Sequence, residues 1–262
     1  MARKIVITSG KGGVGKTTVA ANLGYRLSVM GKRTCVVDAD LGLNDLDVMT
    51  GVENLVVYDI TDSMEGRCRA KQALIQSPMN KNFYVLPSVH SFDKSSASAD
   101  NLKELIDGLS EGFDFVLIDC PAGIGGGFHR AVSASDEALV VVTPHISSVR
   151  DADKVLGVLS GYKLSSVGVV VNMLRGDLVV SGDVPSAAEI EDILKTKIAG
   201  VIPCEDDIML SSAGKFPQES AAARAFRILA KNVVSGKSRI FDCLGDYRGF
   251  FGSIRRSIKR KV

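Results

Sequence analysis

At 262 residues, 45% hydrophobic and 24% charged, the chain carries enough apolar side chains for one large folded domain, which excludes a disordered or fibrous protein. No stretch approaches the roughly 18 to 20 apolar residues of a membrane span, and the opening Ile5-Val6-Ile7 run is too short for a signal peptide, so a cytoplasmic protein is expected. The net charge of +2 conceals an asymmetry: residues 248–262 hold six basic side chains and no acidic one, leaving 26 basic against 30 acidic residues, or −4, on the body.

Short β-branched runs alternate with amphipathic segments along most of the chain. The first strand is predicted over residues 4–9, followed by a helix over 17–30 that Gly31 closes. Strands follow at 34–38 and 83–86, then a polar loop at 93–100 leading into a helix over 101–109. In that helix Leu102, Leu105, Ile106 and Leu109 share one apolar face. Further strands are predicted at 113–119, 138–143, 167–172 and 198–202, with helices at 148–159, 186–194 and 221–234. The runs ALVVV (138–142) and VGVVV (167–171) contain no polar side chain, as strands buried on both faces require. The fold class is therefore α/β, a mostly parallel twisted sheet with helices on both faces. No internal repeat is present. The expected domains are one large α/β domain over 1–236, a linker over 237–246 and a short amphipathic helix over 247–262. The five cysteines (Cys35, Cys68, Cys120, Cys204, Cys243) are odd in number and lack a Cys-x-x-Cys pair, which argues against a disulfide framework or a structural zinc site.

Between the first strand and helix, Gly10-Lys11-Gly12-Gly13-Val14-Gly15-Lys16-Thr17 fits the phosphate-binding pattern G-x-x-x-x-G-K-[ST] in the strand–loop–helix context that the pattern requires. The glycines let backbone N–H groups turn towards phosphates, and the helix N-terminus adds partial positive charge. Lys16 reaches the β/γ-phosphates and the Thr17 hydroxyl can coordinate Mg²⁺, so ATP and Mg²⁺ are expected. Asp38 and Asp40 lie at the carboxyl end of one predicted strand and Asp119 at that of another, the edge where open α/β sheets bind ligands. Asp38 and Asp119 are the candidate metal carboxylates beside Thr17. Asp40, further from the strand body, is the candidate group to orient or deprotonate a hydrolytic water.

The tail YRGFFGSIRRSIKRKV has a helical pattern. Phe250, Phe251, Ile254, Ile258 and Val262 fall within about 120° of one another, joined by Tyr247, while Arg255, Arg256, Lys259 and Arg260 lie outside that arc. Lys261 intrudes on the apolar side, where a long side chain can snorkel. The pattern is that of a short helix lying in the plane of an anionic membrane surface.

The second lysine of the loop, Lys11, is not needed for binding one nucleotide. Together, KGGVGKTT, VVDADLGLNDLD, VLIDCPAG and SSVRDADKVLGVL resemble the deviant-Walker (ParA/MinD) family of P-loop ATPases, over nearly the whole chain, and within it the members that position the division site. The resemblance implies an ATP-dependent homodimer in which Lys11 crosses to the partner's phosphates, a role like that of an arginine finger. It implies that Gly12, Gly13, Gly15, Lys16, Thr17 and Thr18 hold phosphates and Mg²⁺. Residues 38–47 and 119–123 become the two switches, Asn172 contacts adenine and the loop from Pro203 to Asp206 borders the base. Asp151 and its neighbours become the surface for division-inhibitor and topological-regulator proteins (MinC-like, MinE-like or DivIVA-linked), at the inner face of the cell membrane, with no nucleic acid expected. Two departures stand out. Asn44 and Asp45 replace the usual Arg and Asn of the first switch, and Gly125-Gly126-Gly127 predicts a flexible segment after the second. Alternatives are a ParA-like DNA-segregation ATPase, a flagellar-placement relative, an iron–sulfur carrier using Cys120, and a scaffold without catalysis.

Overall fold

The computed structural model describes residues 1–41, 45–88, 99–206, 214–248 and 252. Its centre is an eight-stranded sheet of β1 (Arg3–Thr8), β2 (Thr34–Asp38), β3 (Ile75–Gln76), β4 (Phe83–Leu86), β5 (Phe115–Asp119), β6 (Glu137–Val142), β7 (Ser166–Leu174) and β8 (Ile198–Pro203). The spatial order is β3-β4-β2-β5-β1-β6-β7-β8. β3 and β4 pair antiparallel, whereas the remaining neighbours are parallel. Parallel neighbours need crossover helices, and these cover both faces.

The helices are α1 (Lys16–Val29), α2 (Leu46–Thr50), α3 (Ile60–Met64), α4 (Ala70–Ala73), α5 (Ala99–Ser110), α6 (Gly126–Ser133), α7 (Ile146–Leu159), α8 (Gly176–Val180), α9 (Ala187–Leu194) and α10 (Ala221–Ser235), with 3₁₀ turns at Glu53–Leu55 and Gly245–Tyr247. Side chains alternate across each strand, so the sheet divides the core in two. One half holds Val6, Val37, Ile118 and Val140 with Ile106 of α5, Phe128 of α6, Val155 of α7 and Ile190 of α9. The other holds Ile5, Ile7, Leu117 and Val141 with Leu23 of α1 and Phe226 and Leu229 of α10. Among the described residues no helix is long and apolar enough to cross a membrane.

The periodic elements lie where the sequence pattern puts them, within about two residues at each end, the precision at which such boundaries are meaningful. Three differences bear on function. β7 runs beyond residue 172 to Leu174, and its ladder with β8 shifts register between Val171 and Leu174, with Met173 at φ 58°. The triple glycine forms the start of α6 instead of a flexible run: Gly125 is its N-cap, and a Cβ on Gly127 would lie 2.5 Å from Pro121 Cγ, so that glycine permits close packing. The segment expected as a linker packs against the domain over its second half, where Cys243 is buried. The polar loop over 93–98 and the tail residues 249–251 and 253–262 lie outside the described residues; Ala99 and Asp100 already belong to α5.

Candidate functional site: a phosphate loop beside two buried carboxylates

β1 lies between β5 and β6, and the chain leaves it at Thr8 to enter α1 at Lys16. Gly13 and Gly15 take φ of 77° and 86°, the left-handed region where a Cβ is strained. Gly15 is the N-cap of α1 and supplies no side-chain acceptor, so the helix's first N–H groups stay available to an anion. The loop is anchored on three sides. The Ser9 hydroxyl donates to the Lys11 carbonyl at 2.8 Å, and Gly123 N–H donates to the Ser9 carbonyl at 3.0 Å. Asn172, buried at the end of β7, donates from Nδ2 to the Val14 carbonyl at 2.8 Å. A Cβ on Gly10 would stand 2.5 Å from the backbone of Asp151, and one on Gly15 would overlap the Asn172 amide. Lys16 is buried at the mouth of the helix, Gly12 and Gly13 are exposed, and the Thr18 carbonyl accepts from Asn22 Nδ2.

Asp38 and Asp119 face each other as register partners on β2 and β5. They are 1% and 2% exposed. Asp38 Oδ1 accepts from Asp40 N–H at 3.0 Å, while Asp38 Oδ2 and Asp119 Oδ1 have no hydrogen-bond partner among the described residues. Burial pushes the Asp119 carboxyl up to about 7; the Thr17 hydroxyl and Lys16 oppose that rise, and Asp40 and Asp45 add to it. Asp38 is raised well above the usual carboxylate range, by burial first and then by Asp119. Asp40, half-buried, is raised by burial against the pull of Lys16. Unpartnered buried carboxylate oxygens are costly unless something positive meets them. Asp38, Asp119 and Thr17 therefore fit a hard divalent cation that shares its coordination with waters and phosphate oxygens. Among the described residues no group of three or more His, Cys, Asp or Glu side chains gathers into a metal cage.

Lys11 stands apart from this cluster: its Nζ donates to the Ser147 hydroxyl at 3.1 Å, on the first turn of α7. Pro203 closes β8 opposite Leu174 and lines a cavity of about 250 Å³ together with Arg175, Asp177 and Glu205. Asn44 and the residues expected at the membrane, Phe250, Phe251, Ile254, Arg255, Arg256, Ile258, Lys259 and Arg260, lie outside the described residues, and Asp45 is the exposed N-cap of α2.

A family model described as an AAA domain (AAA_31) matches residues 2–163. The Bacillus subtilis septum site-determining protein MinD is 41% identical over 240 residues, covering 89% of this chain and 90% of that protein. The chain belongs to the MinD family of septum site-determining ATPases. Among solved structures it superimposes on MinD in the Aquifex aeolicus MinC:MinD cell division protein complex with TM-score 0.84 at 37% identity, covering 91% of this chain and 97% of that one. It matches Pyrococcus horikoshii MinD complexed with Mg-ADP with TM-score 0.80 at 33% identity, covering 90% and 97%. MinD-family ATPases use ATP with Mg²⁺, and in this chain Lys16, Thr17, Asp38, Asp40 and Asp119 gather beside the loop from Gly10 to Thr17. Two contacts of this MinD-family site escape sequence reading. Ser147 holds Lys11, although a serine at a helix start reads as a cap; Asn172 grips the phosphate loop, although only its position at a strand end is visible.

Proposed function

We propose that the chain binds ATP and Mg²⁺ at the loop from Gly10 to Thr18, pairs with a second copy while ATP is bound, and carries that pair to an anionic membrane surface through the basic tail from residue 249 to 262. The observation that carries this reading is the pair of orphaned oxygens, Asp38 Oδ2 and Asp119 Oδ1, on neighbouring strands, with Asp119 set beside Lys16 and Thr17. Backbone N–H groups of Gly12, Gly13, Val14 and Gly15 and the start of α1 hold the β- and γ-phosphates, with Lys16 between them. Thr17, Asp38 and Asp119 would hold Mg²⁺, which would supply positive charge beside the phosphate oxygens when bound. Asp40 takes a proton from the attacking water as the new P–O bond forms and the bond to ADP breaks; a carboxyl raised by burial is a better base than an exposed one. Lys11, held on the outer rim by Ser147, swings to the partner's phosphates when two copies meet, so turnover depends on pairing.

Asn172 and Pro203 border the base. One tail binds anionic lipid weakly, whereas two on one dimer gain effective concentration, an advantage of about 10² to 10⁴-fold. Division-inhibitor proteins of the MinC type dock on the paired, membrane-bound form, as the Aquifex aeolicus neighbour was solved in complex with MinC, and topological regulators of the MinE type or linked to DivIVA act on the same form. The test is co-sedimentation with anionic liposomes in ATP, in ADP, and in ATP after deleting residues 249–262. Binding that needs both ATP and the tail supports the reading. Nucleotide-indifferent binding overturns it, and salt-sensitive DNA binding without lipid binding favours the DNA-segregation class.

A further inference from the structure

Resting on the placement of nucleotide at the phosphate loop, one cavity carries the reading further. The chain passes from Asn172, which holds Val14, through Met173 in its left-handed turn to Leu174 and Arg175. Leu174 and Arg175 open a cavity of about 250 Å³ whose second side is Pro203 to Glu205. One residue, Met173, thus separates the side chain that grips the phosphate loop from the first residue lining the cavity. Its third side is a strap, residues 241–248, which contributes Phe241, Asp242, Cys243, Gly245, Asp246 and Tyr247.

The strap is built to lie close. Asp242 Oδ1 accepts from Leu244 N–H at 2.8 Å and from Gly245 N–H at 3.2 Å, which fixes the turn leading into the 3₁₀ segment Gly245–Tyr247. Gly176, the first residue of α8, receives it: a Cβ there would overlap the Cys243 carbonyl and lie 2.8 Å from Tyr247 Cδ2. On the cavity's other side Arg175 pairs with the buried Asp177 at 2.5 Å and 3.2 Å. The lining thus combines ring side chains (Pro203, Phe241, Tyr247) with charged ones (Arg175, Asp177, Glu205, Arg224), a mixture that suits a flat heteroaromatic group with hydrogen-bonding edges.

We propose that the strap is the third wall of the pocket for the nucleotide base, with Tyr247 a positioning residue, so that base occupancy and the placement of the basic tail beginning at residue 249 are coupled. A nucleotide seats the strap from one side, and the tail leaves from its other end.

The experiment uses the full chain with Mg²⁺ and compares ADP with pyrophosphate, which fills the phosphate loop without a base. Hydrogen exchange across residues 241–248 is expected to slow with ADP and not with pyrophosphate. Gly176→Ala, tolerated by a helical backbone but wedged against the strap, is expected to weaken ADP at least about tenfold while leaving pyrophosphate affinity unchanged. Tyr247→Ala repeats the test by removing the wall instead of displacing it, should the wedge fail to fold. If wild type binds ADP more tightly than pyrophosphate but strap exchange is unmoved and both variants bind ADP normally, the third wall is overturned and the nucleotide site stands. If wild type binds neither ligand, both ideas fall.

Discussion

The phosphate loop and the strap are both stretches of backbone laid against a neighbour at a glycine, and they are held there by different physics. At Gly15 the left-handed φ of 86° already excludes most residues before any neighbour is considered. At Gly176 the backbone is helical and only the Cys243 carbonyl and the Tyr247 ring forbid a side chain. The loop is thus specified locally and then clamped by Ser9, Asn172 and Asp151, whereas the strap is specified by contact alone. A contact-held segment can be displaced without strain elsewhere, which suits a part that has to respond to a ligand.

The sharpest contrast should come from Lys16→Ala. Loss of a donor to transferring phosphate is expected to lower kcat by about 10²- to 10³-fold in a phosphate-release assay. Hydrogen exchange over the strap in nucleotide-free protein should stay as in wild type; a matching loss of protection would break the distinction. Next is Gly15→Ala, where left-handed strain and overlap with Asn172 are expected to cost about 2 kcal/mol, lowering the thermal midpoint by about 4 to 8 °C. Gly176→Ala should shift it by less than half as much, since the strap can move away. Asn172→Ala leaves the Val14 carbonyl without its donor and is expected to cost about 1 to 2 kcal/mol and to raise KM for ATP, read from urea midpoints and steady-state kinetics.

The smallest effect belongs to a control at the opposite end of the sheet. Burial pushes the Glu137 carboxyl up, but the Arg3 guanidinium at 2.6 Å and the Ser166 hydroxyl outweigh it and hold it below the usual glutamate range. A depressed acid stabilises the fold above its unfolded pKa and loses that stabilisation as pH falls through its folded value. Glu137→Gln should therefore cost about 1 kcal/mol near neutral pH, with the difference in urea midpoint from wild type closing in acid, while nucleotide affinity stays put. A persistent difference in acid would show that packing, not charge, explains the loss.

What the sequence made legible follows the same division. The loop from Gly10 to Thr17, β2 with Asp38 and β5 with Asp119 could be read because residue type, spacing and period all act within a few residues. The grip of Asn172 on Val14 could not, because it joins residues 158 positions apart. Nor could α2, α3 and α4, each too short for an apolar period to declare itself, or β3, two residues long. The strap was hidden for a simpler reason: residues 237–246 carry no helical or strand period and look like a tether unless Gly176 is known to face Cys243. The triple glycine misled in the opposite direction, since composition alone does not reveal that Pro121 occupies the space beside Gly127.

The edges of the sheet have a consequence for how copies associate. One edge ends in β3, a two-residue antiparallel strand, and the other in β8, whose ladder with β7 is interrupted and whose last residue, Pro203, has no N–H to offer. Neither is a long flat template for adding another chain's strand. Protomers are thereby steered away from extending one another's sheets into lasting, open-ended polymers. The pairing proposed above is left to the loop end, where its lifetime is that of a phosphoanhydride bond, so the molecule can act as a clock that resets itself.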